Sequence, residues 1–319
     1  MITTSLESAI NALNKGEVIG LPTETVYGLA ANCFNEEAVQ KIYQIKNRPN
    51  DNPLIVHVKN ADAIIDLVIE IPEAAKRLMS HYWPGPLTVL LPKSSLISDY
   101  ITASSPLVAL RSPNHPLALR LLNQLNFPLV APSANPFMSV SPTNAEHVHD
   151  YFGDDIAVIL DGGDCQKGIE STIVGFEKNE IIIYREGTIT EEDIKIVLGD
   201  VKVSKIKNKK VSHPGMYKRH YAPNIPLIIS QNIAEDIKRF KNKKIGVLSL
   251  TQIENIDCYC KEVLSECGSL EEAAQHLYGH LIKLDKSGAD IILTEFLPDI
   301  GIGKAINEKL IKASTPLVE

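Results

Sequence analysis

The chain has 319 residues, of which 44% are hydrophobic and 22% charged, and its formal net charge is −7. This balance is typical of a globular protein with room for two ordinary domains, and it excludes a disordered chain and a strongly basic nucleic-acid binder. Because no apolar run approaches the ~18 residues of a membrane span and no secretory signal is visible, we expect a cytoplasmic protein with no membrane partner.

The elements of the first part of the chain follow from periodicity and caps. A helix begins after Ser5 or Thr4, a strand follows at Glu17–Leu21, and Asn35 caps a second helix. Further helices are predicted at 60–69, 73–82, 115–125 and 143–152, and further strands at 53–58, 87–92, 107–112, 128–132, 156–161, 171–176 and 180–185. Because several strands adjoin one another, we predict a mixed α/β sheet with helices on its faces.

The charge distribution changes along the chain. Residues 1–205 contain 16 Lys and Arg against 25 Asp and Glu, whereas residues 206–319 contain 16 against 14. The change coincides with a lysine-rich stretch and the segment HPGMYKRHYAPNIP, whose three prolines and glycine are typical of a linker. We therefore predict a first domain at 1–205, a linker at 206–225 and a second domain at 226–319.

The second domain is predicted to be a small doubly wound, Rossmann-like α/β domain. Its predicted strands are 227–230, 244–249 and 290–294, and its predicted helices are 232–241, 269–286 and 303–313. Cys258, Cys260 and Cys267 resemble part of a metal cluster, but no second pair accompanies them, so structural zinc is not expected. The five cysteines show no disulfide spacing, which favours a reducing compartment.

Several cations lie at the predicted ends of strands and helices. Lys46 and Arg48 close the second helix before the turn NDNP, Arg111 interrupts an apolar strand, and Arg185 ends another. Two cations at a helix end can simply complement its dipole, but Arg and Lys together also suit a polyphosphate. A buried arginine such as Arg111 needs a carboxylate or an anionic ligand.

Hydroxyl side chains collect at the same places. Thr25, Ser133 and Ser141 follow predicted strands in the motifs LPTETVYGL, APSAN and SVSPT, and Ser171 lies at the start of one in the motif GIEST. Such hydroxyls are typical either of turns and helix caps or of a phosphate or nucleotide site. Thr143 is the candidate cap of the helix at 143–152. Since no Walker, dinucleotide or zincin motif is present, the residues alone indicate only a pocket for an anionic nucleotide and a small polar partner.

The motifs PTETVYGL, KNRPNDNPLIVHV, WPGPLTVLL, VALRSP, APSAN with SPT, GIESTIV and YREGTI, in this order, resemble the YrdC family of threonylcarbamoyl-adenylate synthases. The resemblance covers residues 1 to about 200, and HPGMYKRHYAP with the domain after it resembles the two-domain form of the family. It implies a twisted, open mixed sheet with a large concave, positively charged cavity. The implied reaction joins L-threonine, bicarbonate or CO2, and ATP into threonylcarbamoyl-AMP and pyrophosphate.

The resemblance also implies roles for individual residues. The positions implied for threonine are Thr25, His57, Arg111, Ala131 and Ser171. The positions implied for ATP are Arg48, Asn52, Ser133, Ser141, Arg185 and Tyr221, while Lys46, Arg48 and Asn135 are expected at the catalytic centre. We expect no dedicated metal site, Mg²⁺ carried by ATP, and a linker that acts as a lid. Pro136, Phe137 and Met138 depart from the smaller turn that the family often shows.

The implied product supplies threonylcarbamoyladenosine next to the tRNA anticodon, through a downstream tRNA threonylcarbamoyl-transfer complex. Stable direct binding of tRNA is not expected. Two other functions stay open: a double-stranded RNA or tRNA-binding module, disfavoured by the acidic first domain, and a carbamoyl-transfer domain of hydrogenase-maturation type. The second domain is as compatible with rigidifying or dimerising the protein as with catalysis.

Overall fold

The computed structural model describes residues 1–178, 180–205, 214, 217 and 219–315. The chain divides into two compact units. The first unit comprises Met1–Phe137, Pro142–Gln166 and Glu170–Met216, and the second comprises Met138–Ser141, Lys167–Ile169 and Tyr217–Glu319. Residues 206–213, 215, 216 and 218 of the expected linker lie outside the description. The three-part division and the lid therefore stay predictions.

The first unit alternates short strands with helices. Its helices are Leu6–Asn14 (α1), Glu36–Lys46 (α2), Glu73–Tyr82 (α3), Asp99–Thr102 (α4), Pro116–Gln124 (α5), Ala145–Phe152 (α6) and Glu191–Leu198 (α7). Its strands are Ile2–Thr3 (β1), Ile19–Leu21 (β2), Gly28–Asn32 (β3), Ile55–His57 (β4), Leu87–Pro92 (β5), Leu107–Arg111 (β6), Leu129–Val130 (β7), Val158–Leu160 (β8), Thr172–Glu177 (β9), Glu180–Arg185 (β10) and Lys202–Lys205 (β11). A 3₁₀ helix at Asp62–Leu67 replaces the longer helix expected at 60–69.

The strands of the first unit form one mixed sheet, as the sequence predicts. Among the described residues it has eleven strands in the order β1-β8-β2-β3-β7-β4-β6-β5-β9-β10-β11. β4 and β6 are parallel, as are β5 and β9, whereas β5 and β6 are antiparallel. The C-terminal ends of β4 and β6 therefore meet at the same place, and they carry His57 and Arg111 as register partners.

Helix caps explain most of the helix boundaries. The Asn35 side chain accepts a hydrogen bond from the Ala38 amide (3.1 Å) at the start of α2, as predicted. The expectation that Thr143 caps α6 is wrong by one residue: Asn144 accepts from the His147 amide (2.9 Å). Asn is at least as good a cap as Thr, and its side-chain oxygen accepts from the free backbone N–H of the third helix residue.

Five elements of the first unit lack a predicted counterpart among its described residues. β3 has the sequence GLAAN, whose small residues have weak strand propensity, and β1 has only two residues. α4 is a single turn, and α7 begins with a capping box between Thr190 and Asp193 that the sequence does display. β11 lies in the lysine-rich stretch, and its sequence KVSK, with an exposed lysine at each end, resembles a linker.

Alternation along the strands separates an apolar face from the face that carries the site. Val56, Val89 and Leu110 join the large core beneath one face, whereas Ile55 and Ala109 join a smaller cluster on the other. Residues two apart on a strand point to the same side. His57 and Arg111 therefore share the face of Ile55 and Ala109. We call it the site face.

The second unit contains a parallel sheet, as predicted. Its strands are Leu227–Ile229 (β12), Ile245–Ser249 (β13), Cys260–Val263 (β14) and Ile291–Thr294 (β15), and its helices are Ile233–Arg239 (α8), Leu270–Asp285 (α9) and Gly303–Ala313 (α10). The strand order is β12-β15-β13-β14, and each neighbouring pair is parallel. β14 is the one strand here that has no predicted counterpart. Across the described residues, no helix combines the length and the hydrophobicity of a membrane span.

Candidate active site

Arg111 is the centre of the site face. Its side chain is 4% exposed, its Nε donates to the Gly85 carbonyl (3.2 Å), and its Nη1 donates to the Thr25 hydroxyl (2.8 Å). Oε1 of Glu24, equally buried, lies 2.8 Å from Nη2. The predicted need for an anionic partner is thus met by a carboxylate of the chain, and the Pro-Gly-Pro turn contributes a carbonyl to the same guanidinium.

The hydroxyl of Thr25 belongs to a short chain of hydrogen bonds. The Thr23 hydroxyl donates to the Val26 carbonyl (2.6 Å), so its single proton is used there. The contact of 2.9 Å between the Thr23 and Thr25 hydroxyls must then have Thr25 as its donor. Because Thr25 also receives a hydrogen bond from Arg111, it keeps only acceptor capacity for a further partner.

His57 is buried and neutral. Burial, and secondly the nearby charge of Arg111, lower its pKa to about 3. Nδ1 lies 3.2 Å from the Ile55 carbonyl, and that contact requires the ring proton on Nδ1. The other ring nitrogen, Nε2, is therefore a hydrogen-bond acceptor in this structure.

Ser171 is held by two neighbours. Arg185 donates through Nε to the Ser171 carbonyl and through Nη2 to its hydroxyl, both at 3.0 Å. The same hydroxyl lies 2.7 Å from that of Thr88 on β5. Gly187 allows this approach, because a Cβ there would lie 2.4 Å from the Glu170 carbonyl oxygen. Arg185 thus positions Ser171, a connection that the sequence does not reveal.

Lys46 joins the end of α2 to the loop after β7. Its side chain is 1% exposed, and Nζ donates to the backbone carbonyls of Ser133 and Asn135. Burial, and secondly the charge of Arg48, lower the pKa of Lys46 well below 10.5. Asn47 between the two cations has a left-handed backbone (φ 52°), which ends the helix there.

Arg48 holds the NDNP turn. Its Nε donates to the Asn52 carbonyl (3.2 Å) and its Nη2 to the Pro53 carbonyl (2.9 Å). The side-chain amide of Asn52 is fully buried, and neither its oxygen nor its nitrogen has a hydrogen-bond partner among the described residues. An orphaned buried amide is costly, so this one points to a ligand with both an acceptor and a donor.

The structure brings most of the predicted site residues into the first unit. These residues are Thr25, Lys46, Arg48, Asn52, His57, Arg111, Ala131, Ser133, Asn135, Ser171 and Arg185. The Ala131 amide donates to the Ile55 carbonyl (2.9 Å). Ser141 and Tyr221 are counted in the second unit, where Tyr221 stacks on Tyr278 with ring centroids 5.6 Å apart. Their roles, like the others implied by resemblance, stay predictions.

The sequence did not identify the residues that form hydrogen bonds or ion pairs with the predicted site residues. Glu24 was not assigned, although it directly precedes the predicted site residue Thr25 in PTET and a buried arginine needs a counter-charge. Thr88 and Gly85 were missed as well, and only the pairing of β5 with β6 and β9 brings them to the site.

Two family models match the chain in succession. The model Sua5_yciO_yrdC, described as "Telomere recombination", matches residues 11–187, and the model described as "Threonylcarbamoyl-AMP synthase, C-terminal domain" matches residues 189–315. The chain belongs to the Sua5/YrdC family. Within it, the presence of the second model places the chain among the two-domain members.

The sequence relatives and solved structures agree with this membership. Threonylcarbamoyl-AMP synthase of Bacillus subtilis is 42% identical and that of Pyrococcus abyssi 38% identical; the alignments cover 97% and 96% of this chain and 92% and 93% of the relatives. The crystal structure of P. abyssi Sua5 complexed with L-threonine superposes with a TM-score of 0.91 at 37% identity. That comparison covers 97% of this chain and 94% of the other. The predicted fold and enzyme class are confirmed, and neither alternative function gains support.

Proposed function

We propose that this protein synthesises L-threonylcarbamoyl-AMP from L-threonine, bicarbonate or CO2, and ATP, with release of pyrophosphate. The observation that carries the proposal is the buried guanidinium of Arg111 on the site face. Its Nη2 makes no hydrogen bond with the described residues, so it has donor capacity for a substrate carboxylate. The similarity over nearly the full chain to a relative solved with L-threonine supports this assignment.

The threonine end of the site is formed by Thr25, His57, Arg111 and Ser171, with Ala131 beside them. Neutral His57 presents Nε2 as an acceptor, which suits the side-chain hydroxyl of threonine. A charged imidazole here would compete with Arg111 for the carboxylate, and the depressed pKa of His57 removes that competition.

The nucleotide end is formed by the basic segment after α2 and the loop after β7. The side-chain nitrogen of Lys46 donates to two carbonyls, and in its charged form it has one further N–H group for a phosphate oxygen. The orphaned amide of Asn52 offers a donor and an acceptor, as a nucleotide requires. Arg48, Ser133, Asn135 and Arg185 complete the proposed set in the first unit; Ser141 and Tyr221 are proposed for the nucleotide from resemblance.

The reaction needs no protein nucleophile. The deprotonated amine of threonine attacks CO2, an N–C bond forms, a proton leaves, and a carbamate results. A carbamate oxygen then attacks the α-phosphorus of ATP, the bond to the β-phosphate oxygen breaks, and pyrophosphate departs. The protein contributes orientation of the reactants and stabilisation of the phosphate charge, for which Lys46 and Arg48 are the proposed groups.

In the part of the chain that the structure describes, no group of three or more His, Cys, Asp or Glu side chains is arranged to bind a metal ion. We propose that Mg²⁺ arrives on the phosphate oxygens of ATP, as part of the substrate. No step above depends on a protein-bound metal.

The product determines the class of reaction that must follow. A carbamoyl-adenylate is a mixed anhydride that water hydrolyses, so it must be consumed by a transfer reaction. We propose the tRNA threonylcarbamoyl-transfer complex as the consumer and the cytoplasm as the place. The net charge of −9 on residues 1–205, from 16 cationic against 25 acidic side chains, disfavours stable direct binding of tRNA.

Pyrophosphate release from ATP by the purified protein tests the proposal. We expect release to require both L-threonine and bicarbonate. Asn52→Ala should raise the KM for ATP about tenfold or more and leave the KM for threonine nearly unchanged. Glu262→Gln is the matched control, because it removes an ion pair with Lys283 (2.7 Å) in the second unit. Release without threonine dependence, or dependence on carbamoyl phosphate instead, would refute the proposed function.

A further inference from the structure

We propose that Glu24 is a substrate-contacting residue that accepts a hydrogen bond from the α-amino group of the amino-acid substrate. The proposal rests on the function proposed above and assigns a residue for which neither the motifs nor the comparisons gave a role. It concerns the part of the substrate that forms the new N–C bond.

Glu24 is buried beyond what its ion pair explains. The residue is 3% exposed, and its one charged partner among the described residues is Nη2 of Arg111, 2.8 Å from Oε1. The angles of that contact are not those of a hydrogen bond, and neither carboxylate oxygen has a hydrogen-bond partner among the described residues. A buried carboxylate normally accepts several hydrogen bonds. Glu24 therefore has acceptor capacity that a bound ligand with N–H or O–H groups could use.

The titratable neighbours of Glu24 do not supply the missing donors. Burial lowers the pKa of His115, so this ring is neutral at pH 7, and its Nε2 is engaged with the Gly162 carbonyl at 3.3 Å. Burial, and secondly Glu24 itself, raise the pKa of Cys165, so that group is a neutral thiol and a weak donor. Among the described residues, the ion pair with Arg111 is therefore not joined by a second charged or strongly donating group.

Thr25 adds a second acceptor beside Glu24. Its hydroxyl proton is used by Thr23, and its oxygen already receives one hydrogen bond from Arg111. A ligand at this place thus meets donors on Arg111 and acceptors on Glu24 and Thr25. That combination is complementary to an amino acid, whose carboxylate accepts and whose amino group donates.

The consequence for the reaction is orientation of the nucleophile. An amino group with one N–H directed to Glu24 presents its lone pair in a defined direction once it is deprotonated. The same carboxylate keeps Arg111 in place through the ion pair. Glu24 therefore touches both the amino group and the arginine that holds the carboxylate.

Two ligands distinguish contact with the amino group from an effect through Arg111. L-Threonine and 3-hydroxybutyrate share the carboxylate and the hydroxyl, but only threonine has the amino group. Isothermal titration calorimetry on the full chain should show wild type binding threonine at least about tenfold more tightly than 3-hydroxybutyrate. In Glu24→Gln, affinity for threonine should fall about tenfold or more, while affinity for 3-hydroxybutyrate should change less than about twofold.

The controls separate the possible failures. Glu262→Gln should bind both ligands as wild type does. An equal loss for both ligands in Glu24→Gln would show that Glu24 acts only through Arg111, which overturns the proposal. Equal affinity of wild type for the two ligands overturns it without any variant, so the test does not depend on the stability of Glu24→Gln. Wild type that binds neither ligand would instead overturn the proposed function itself.

Discussion

Removing the guanidinium of Arg111 tests the energetics on which the site depends. Arg111→Met removes the cation that now lies 2.8 Å from the Glu24 carboxylate, whose side chain is 4% exposed. No other side chain of the described residues forms an ion pair with Glu24, so the carboxylate stays buried without a counter-charge. An uncompensated buried charge costs about 3–5 kcal/mol. The Gly85 carbonyl and the Thr25 hydroxyl also lose their donor. We expect the free energy of unfolding of the first unit to fall by about 3–5 kcal/mol.

The double variant Glu24→Gln/Arg111→Met separates the charge from the lost packing. A neutral amide beside a methionine leaves no buried charge, so the double variant should be at least about 2 kcal/mol more stable than the sum of the single losses predicts. Urea unfolding followed by the fluorescence of Trp83 measures this. Trp83 is the only tryptophan in the sequence, it lies in the first unit, and its Nε1 donates to the Leu87 carbonyl at 2.7 Å.

Lys195→Met is the matched control for loss of an ion pair. Lys195 lies 2.6 Å from Glu191 on α7, but its side chain is 48% exposed, so its removal should change stability by less than about 0.5 kcal/mol. A loss below about 1 kcal/mol in Arg111→Met, or strictly additive losses in the double variant, would refute the reasoning that Glu24 is a buried charge dependent on Arg111.

Two further predictions concern Lys46 and Gly187. The pKa of Lys46 is lower in the folded than in the unfolded chain. At a pH between these two pKa values the unfolded chain binds more protons, so the contribution of Lys46 to the free energy of unfolding rises with pH. The free energy of unfolding of wild type, relative to that of Lys46→Met, should therefore increase as the pH rises toward about 10. The increase should be at most about 1.4 kcal/mol per pH unit. A difference between the two proteins that does not change with pH would contradict the lowered pKa. Gly187→Ala places a Cβ 2.4 Å from backbone atoms of Glu170 and Thr172. The free energy of unfolding, measured in urea, should therefore fall by about 1–3 kcal/mol. A fall of less than about 0.5 kcal/mol would show that the loop can move to accommodate the methyl group.

Local patterns predicted what local interactions determine. The capped helix α2, the strand β5 and the three helices of the second unit appear in the structure close to their predicted bounds. Each depends on residues within about four positions of one another, and that range is visible in a sequence. β3 and β14 were missed because their strands depend on their neighbours in the sheet rather than on their own composition.

The motifs named the polar residues of the site but not their partners. Arg111 is 86 residues from Thr25, and Lys46 is 87 residues from Ser133. No periodicity reaches across such a distance, so the pairings arise only when β4, β6 and β7 lie side by side. Composition, periodicity and motif order therefore determined the fold class, the family and the residue types of the site. The tertiary structure decided which cation faces which acceptor. Electrostatic interactions and burial depend on which atoms are close in space, and not on how near the residues are in the chain.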